Sequence, residues 1–104
     1  MIKVHILYPN QAGVRFDMAY YCDRHMPMVQ ARIGEACTGF TVDAGLAGAA
    51  PGQPAPYVAV GTLLVTSLEA FGAAMAQHGA EIMGDISNYT DAQPVLQISE
   101  VKVG

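Results

Sequence analysis

Charge is what this chain has least of. Charged residues make up 13% of its 104 residues, where about 25% is usual for a soluble domain. The five basic residues, Lys3, Arg15, Arg24, Arg32 and Lys102, are scattered, and the net charge is −4. That balance excludes a basic footprint, so no nucleic-acid partner is expected. Two cysteines, Cys22 and Cys37, form no CxxC pair and no disulfide framework. With no leader-like N-terminus, a reducing cytoplasmic setting is expected. Tryptophan is absent. No apolar run approaches the ~20 residues of a membrane span, so no membrane partner is expected. No HxH or HExxH spacing announces a metal, and no GxGxxG or P-loop announces a nucleotide.

Apolar residues are abundant, at 52%. The length fits one domain, residues 1–104. So few charges cannot cover a lone monomer, and a homodimer that buries part of the apolar surface is expected. Ile2 to Tyr8 alternates as a strand, with Ile2, Val4, Ile6 and Tyr8 on one face and Lys3, His5 and Leu7 on the other. A first helix starts at Asp17, a good N-cap, and runs to about Gly34 with an interruption at Pro27. Thr38 to Ala44 reads as an edge strand. Gly45 to Pro56, rich in Pro and Gly, reads as a hairpin loop and candidate lid. Tyr57 to Thr66 reads as a strand buried on both faces. Ser67 caps a second helix whose inward stripe is Leu68, Phe71, Met75 and His78. Gly79 weakens that helix, and Ala80 to Tyr89 is expected to form a further short one. Val95 to Val103 is the last strand. The order β-α-β-β-α-β predicts a ferredoxin-like α+β fold, a four-stranded antiparallel sheet with both helices on one face. Two such sheets packed face to face make a dimeric α+β barrel.

Three histidines lie on three elements. If Val4 and Ile6 pack under the helices, His5 points to the barrel interior beside Leu7, where an imidazole is a candidate general base. His78 continues the inward stripe of the second helix with Met75. Asp17, Tyr21 and His25 share one helical face, and His25 stands two residues before Pro27. It either bonds a freed carbonyl and fixes a bend or faces a cavity. Tyr21 and Met75 are candidate core or pocket-lining groups.

The chain resembles the EthD family, named for a protein of ethyl tert-butyl ether degradation gene clusters. The resemblance rests on Val4-x-x-Leu7-Tyr8-Pro9, on Phe16-Asp17-x-x-Tyr20-Tyr21-x-x-x-His25-Met26-Pro27-x-Val29, and on His78 to Thr90, continuing into Pro94-Val95-x-Gln97-Ile98-Ser99. It implies the dimeric α+β barrel superfamily and a role auxiliary to oxidation of small apolar or aromatic compounds, beside an oxygenase of the same pathway. Superfamily members include polyketide cyclases and cofactor-free monooxygenases. By similarity to cyclases, His5 and His78 are the candidate catalytic pair, with Asp85 orienting His78 and Tyr89 donating a hydrogen bond to a substrate oxygen. His25, Tyr21, Leu7 and Met75 are the candidate substrate-binding residues. No cofactor is expected; heme, with His78 as axial ligand, is the alternative that heme-handling relatives suggest. A non-catalytic binding or accessory protein is the other reading.

Overall fold

The computed structural model describes residues 1–104. The chain runs β1 (Ile2–Pro9), α1 (Met18–Tyr20), a π-helical turn (Tyr21–His25), α2 (Met26–Ile33), a 3₁₀ turn (Gly34–Ala36), β2 (Cys37–Ala44), β3 (Tyr57–Val65), α3 (Leu68–Gly84), a second 3₁₀ turn (Ile86–Asn88) and β4 (Val95–Glu100). The strands form one antiparallel sheet in the order β2-β3-β1-β4. This is the expected ferredoxin-like arrangement, with β2 and β4 at the edges.

Strand alternation decides what the sheet covers. Val4 and Tyr8 are fully buried against the helices. They pair across the ladder with Leu63 and Ala59, which are buried on the same face. Tyr21, Met26, Val29 and Ile33 from the first helical stretch, with Phe71 and Ile82 of α3, complete the layer. The odd positions of β1, among them His5 and Leu7, therefore lie on the opposite face. There the chain's own cover is partial: Leu7, Val58, Val60 and Leu64 are half-buried, and only Thr62 is closed off. The expectation that β3 is buried on both faces holds within one chain for its helix side only.

The first helical stretch does not break at Pro27. Proline lacks an N–H, so an α-helix loses a bond at that point. The chain widens one turn earlier instead, where Met26 N–H bonds the Tyr21 carbonyl, five residues back. Pro27 then falls in the first turn of α2, where its missing donor costs nothing. The extra residue turns both His25 and Met26 inward, and both are buried. Asp17 caps the start by accepting from Tyr20 N–H at 3.1 Å.

The second departure is in α3, which runs unbroken through Gly79 to Gly84. A helical glycine costs about 1 kcal/mol against alanine. Phe71 and Ile82, buried on either side of it, anchor both halves on one core and outweigh that cost. Ser67 caps this helix through Ala70 N–H at 3.1 Å. The last strand ends at Glu100, three residues before the expected Val103. No helix is long and apolar enough to cross a membrane.

Candidate functional site

Between the helices and the sheet lies a cavity of about 150 Å3, thirteen of whose fifteen lining residues are hydrophobic. Val4, Ile6 and Leu63 form its floor, and Val29, Phe71 and Ile82 are among the residues that wall it. Its polar lining comes from two elements. The π turn delivers His25, and β1 delivers Tyr8 beside Tyr21.

His25 Nδ1 lies 2.8 Å from Asp85 Oδ2. Asp85 also accepts from the Tyr20 hydroxyl at 2.6 Å and from Asn88 Nδ2 at 2.9 Å. Burial raises the Asp85 pKa, but these hydrogen bonds outweigh it and hold the carboxyl below its ordinary value. Burial lowers the pKa of His25, against the opposing pull of Asp85. At neutral pH the pair is thus carboxylate and neutral imidazole. A carboxylate only accepts, so His25 carries its proton on Nδ1. Nε2 keeps a free lone pair and bonds no protein group. The ring is held by a near-parallel stack on Tyr21, centroids 5.6 Å apart, and by Tyr89 at 4.6 Å.

Tyr8 and Tyr89 share a hydroxyl hydrogen bond of 2.7 Å deep in the core. Burial pushes all three tyrosine pKa values, of Tyr8, Tyr21 and Tyr89, above the ordinary phenol value. They are donors here, not bases. The Tyr21 hydroxyl is buried without a partner. It sits over Gly61, where a Cβ would overlap it. Glycine in the middle of β3 thus marks a close approach. An unpaired buried hydroxyl costs roughly 1–3 kcal/mol.

The structure brings together only part of the residues singled out in the sequence. His25, Tyr21 and Met75 line the cavity. Asp85 bonds His25 and not His78, and Tyr89 packs on the same imidazole. His78 is half-buried on α3 and does not reach the cavity; Met75 and Ile82, one turn to either side, take its wall. His5 bonds Thr62 at 3.3 Å on the other face of the sheet. Leu7 shares that face, so neither residue meets the cavity. The sheet therefore separates His5 from His78 within one chain. No residue of 45–56 lines the cavity. Tyr8, Tyr20 and Gly61 join the site although none is among the candidate site residues of the sequence. Tyr8 was legible from its parity with Val4; Gly61, from its place in an otherwise apolar strand. No group of three or more His, Cys, Asp or Glu side chains is placed to hold a metal ion.

The fold and the site define a ferredoxin-like α+β domain with an apolar cavity between helices and sheet. The EthD domain model matches residues 14–93, and the chain belongs to the EthD family. The crystal structure of an EthD-like protein from Ralstonia eutropha JMP134 is 62% identical, covers 98% of this chain and 92% of its own, and superposes with a TM-score of 0.95. An ethyl tert-butyl ether degradation family protein from Bacillus halodurans C-125 is 19% identical over 97% of this chain and 98% of its own, with a TM-score of 0.70. At3g17210 from Arabidopsis thaliana is 12% identical over 100% of this chain and 98% of its own, with a TM-score of 0.69. The last two share the fold. No match is found among curated proteins.

Proposed function

We propose that this protein binds a small apolar or aromatic metabolite in the helix–sheet cavity, in a role auxiliary to the oxidative breakdown of small organic compounds. One observation carries the reading: an apolar cavity of about 150 Å3 is lined by His25, whose Nε2 bonds no protein group, and by Tyr21, whose hydroxyl is buried without a partner. An apolar hole of about that size accommodates a single benzene ring. Convergent polar groups in an apolar pocket are what orient a ligand. Heme at His78 finds little support, because that side chain does not line the cavity and the space matches one ring. The link to an oxygenase rests on the family resemblance. Native mass spectrometry of freshly purified protein tests the binding reading. A co-purified or added one-ring compound, one per chain, supports it; failure of every one-ring probe to bind contradicts it.

The active form in this proposal is a homodimer. Only 18 of 104 residues are buried within one chain, although 52% are hydrophobic. The sheet face carrying His5, Leu7, Val58, Val60 and Leu64 has no helix over it. On edge strand β4, Val95, which pairs with Leu7 on that face, is 52% exposed. A second copy of the sheet would cover the open face. Leu7→Glu places a charge there without touching the helix-side core. Its expected outcome is a folded monomer by light scattering at concentrations where the parent is a dimer.

A further inference from the structure

We propose that this cavity is a proton-transfer site for compact ring compounds bearing an enolisable carbonyl, with His25 Nε2 as the base and the Tyr21 hydroxyl as the oxygen donor. The inference rests on the binding reading above and deepens it.

The geometry supplies the argument. His25 is fixed on three sides. Asp85 holds Nδ1 at 2.8 Å, Tyr21 stacks on one face, and Tyr89 lies against the ring. The other titratable groups near this cluster are Tyr8, Tyr20, Cys22, Arg24 and Glu81. β3 and α3 bring only hydrocarbon and thioether side chains to the cavity. With its proton committed to Asp85, His25 has one free function, the Nε2 lone pair. Tyr21 has one free function, an O–H donor. The two rings stack on each other and line the same cavity, so one ligand can meet both, with one acidic atom and one able to accept. A carbonyl oxygen and the C–H next to it meet both needs, and the remaining volume takes the ring.

The step balances within the site. Nε2 takes a proton from the carbon beside the carbonyl; the C–H bond breaks and an N–H bond forms. The electron pair moves into the new C–C double bond, and the carbonyl oxygen takes the charge. Tyr21 donates to that oxygen. The imidazolium is stabilised by the Asp85 carboxylate, itself held by Tyr20 and Asn88. Return of the proton to the same carbon, or to another atom of the enolate, restores neutral His25. The outcome is exchange or isomerisation, with nothing consumed. Asp85 is a positioning residue: it sets the tautomer and the orientation of the ring.

The test uses acetophenone in deuterated buffer with the intact protein. Deuterium entering the α-methyl group is followed by proton NMR, and binding is followed by chemical-shift changes of Met26 and Met75. The parent protein is expected to exchange the methyl protons at least tenfold faster than buffer. His25→Gln should fall to the buffer rate while acetophenone still binds. His78→Gln, at a side chain that does not line the cavity, should exchange at the parent rate. Asp85→Asn gives a second readout: loss of the carboxylate charge lowers the imidazole pKa, so the ascending limb of the pH–rate profile should move to lower pH. Binding without exchange above buffer, or exchange that survives His25→Gln, overturns the proton-transfer proposal and leaves the binding reading standing. If acetophenone and benzene both fail to bind, both readings fall. If His25→Gln does not fold, an unmoved limb in Asp85→Asn overturns the assignment of the base.

Discussion

Gly61→Ala is expected to lower stability by about 2–3 kcal/mol, the range of overpacking in a closed core. The added Cβ would overlap the Tyr21 hydroxyl and fall 3.1 Å from the ring carbon that bears it and 3.3 Å from Met26 Cε. β3 is a central strand paired on both sides, so its backbone cannot retreat. The Tyr21 ring is held by edge contacts with Tyr8 and Phe16, at centroid distances of 5.3 and 5.1 Å. Urea denaturation measures the effect, and the double variant separates its cause. Tyr21→Phe removes the overlapping oxygen, so it should recover much of the loss when combined with Gly61→Ala. Alone, Tyr21→Phe should stabilise the ligand-free protein by roughly 1 kcal/mol, because it deletes an unsatisfied buried hydroxyl. It should also weaken binding of a ligand with an oxygen acceptor. A Gly61→Ala variant of unchanged stability would show that the Tyr21 hydroxyl does not rest there.

Asp85→Ala is expected to cost about 3 kcal/mol. The side chain accepts from Tyr20, His25 and Asn88, and hydrogen bonds to a charged group contribute roughly 1.5–3 kcal/mol each. Tyr20 and Asn88 can turn to water, so their share is recovered in part. The buried Nδ1–H of His25 cannot, and it carries most of the loss. The same variant should raise mobility at the π turn, seen as faster amide exchange over Tyr21–Met26. Asp85→Asn keeps an acceptor for Nδ1–H and should lose less.

Acid should weaken the fold in two stages. Burial holds the folded-state pKa of His25 below its ordinary 6.5. The unfolded chain therefore binds the proton first as pH falls. The stability that neutral His25 contributes is complete above about 6.5 and is lost as pH drops from there towards the folded-state value. Asp85 sits below its ordinary 3.8, so its contribution is complete above that value and is lost at lower pH as the carboxylate protonates. Thermal melting between pH 8 and 5 should show a falling Tm that His25→Gln flattens.

The fold was legible because it depends on short-range pattern. Alternation in β1 places Val4 and Tyr8 inward and His5 outward, and Asp17 and Ser67 cap the helices the spacing predicts. The site was legible only in its parts. A regular 3.6-residue period puts Tyr21 and His25 on one face and leaves Met26 off it. The π turn adds a residue and turns His25 and Met26 in together, and nothing local but Pro27 hints at this. The Asp85–His25 bond joins residues 60 positions apart, a distance at which spacing carries no information. His78 lies seven residues after Phe71 and so keeps the helical phase of the stripe, but phase alone does not say how far the cavity extends. His5 has the parity that the alternation gives it, on the sheet face opposite this cavity and open to a second sheet.

The proposed function turns on a ligand entering the space between helices and sheet. Methyl-labelled methionine NMR tests it most directly, since Met26 and Met75 line the cavity, while Met1, Met18 and Met28 do not. Titration with a one-ring ketone should shift the Met26 and Met75 methyl signals saturably and leave those of Met1, Met18 and Met28 in place. Shifts confined to Met1, Met18 and Met28, or no saturable shift at all, would contradict the account.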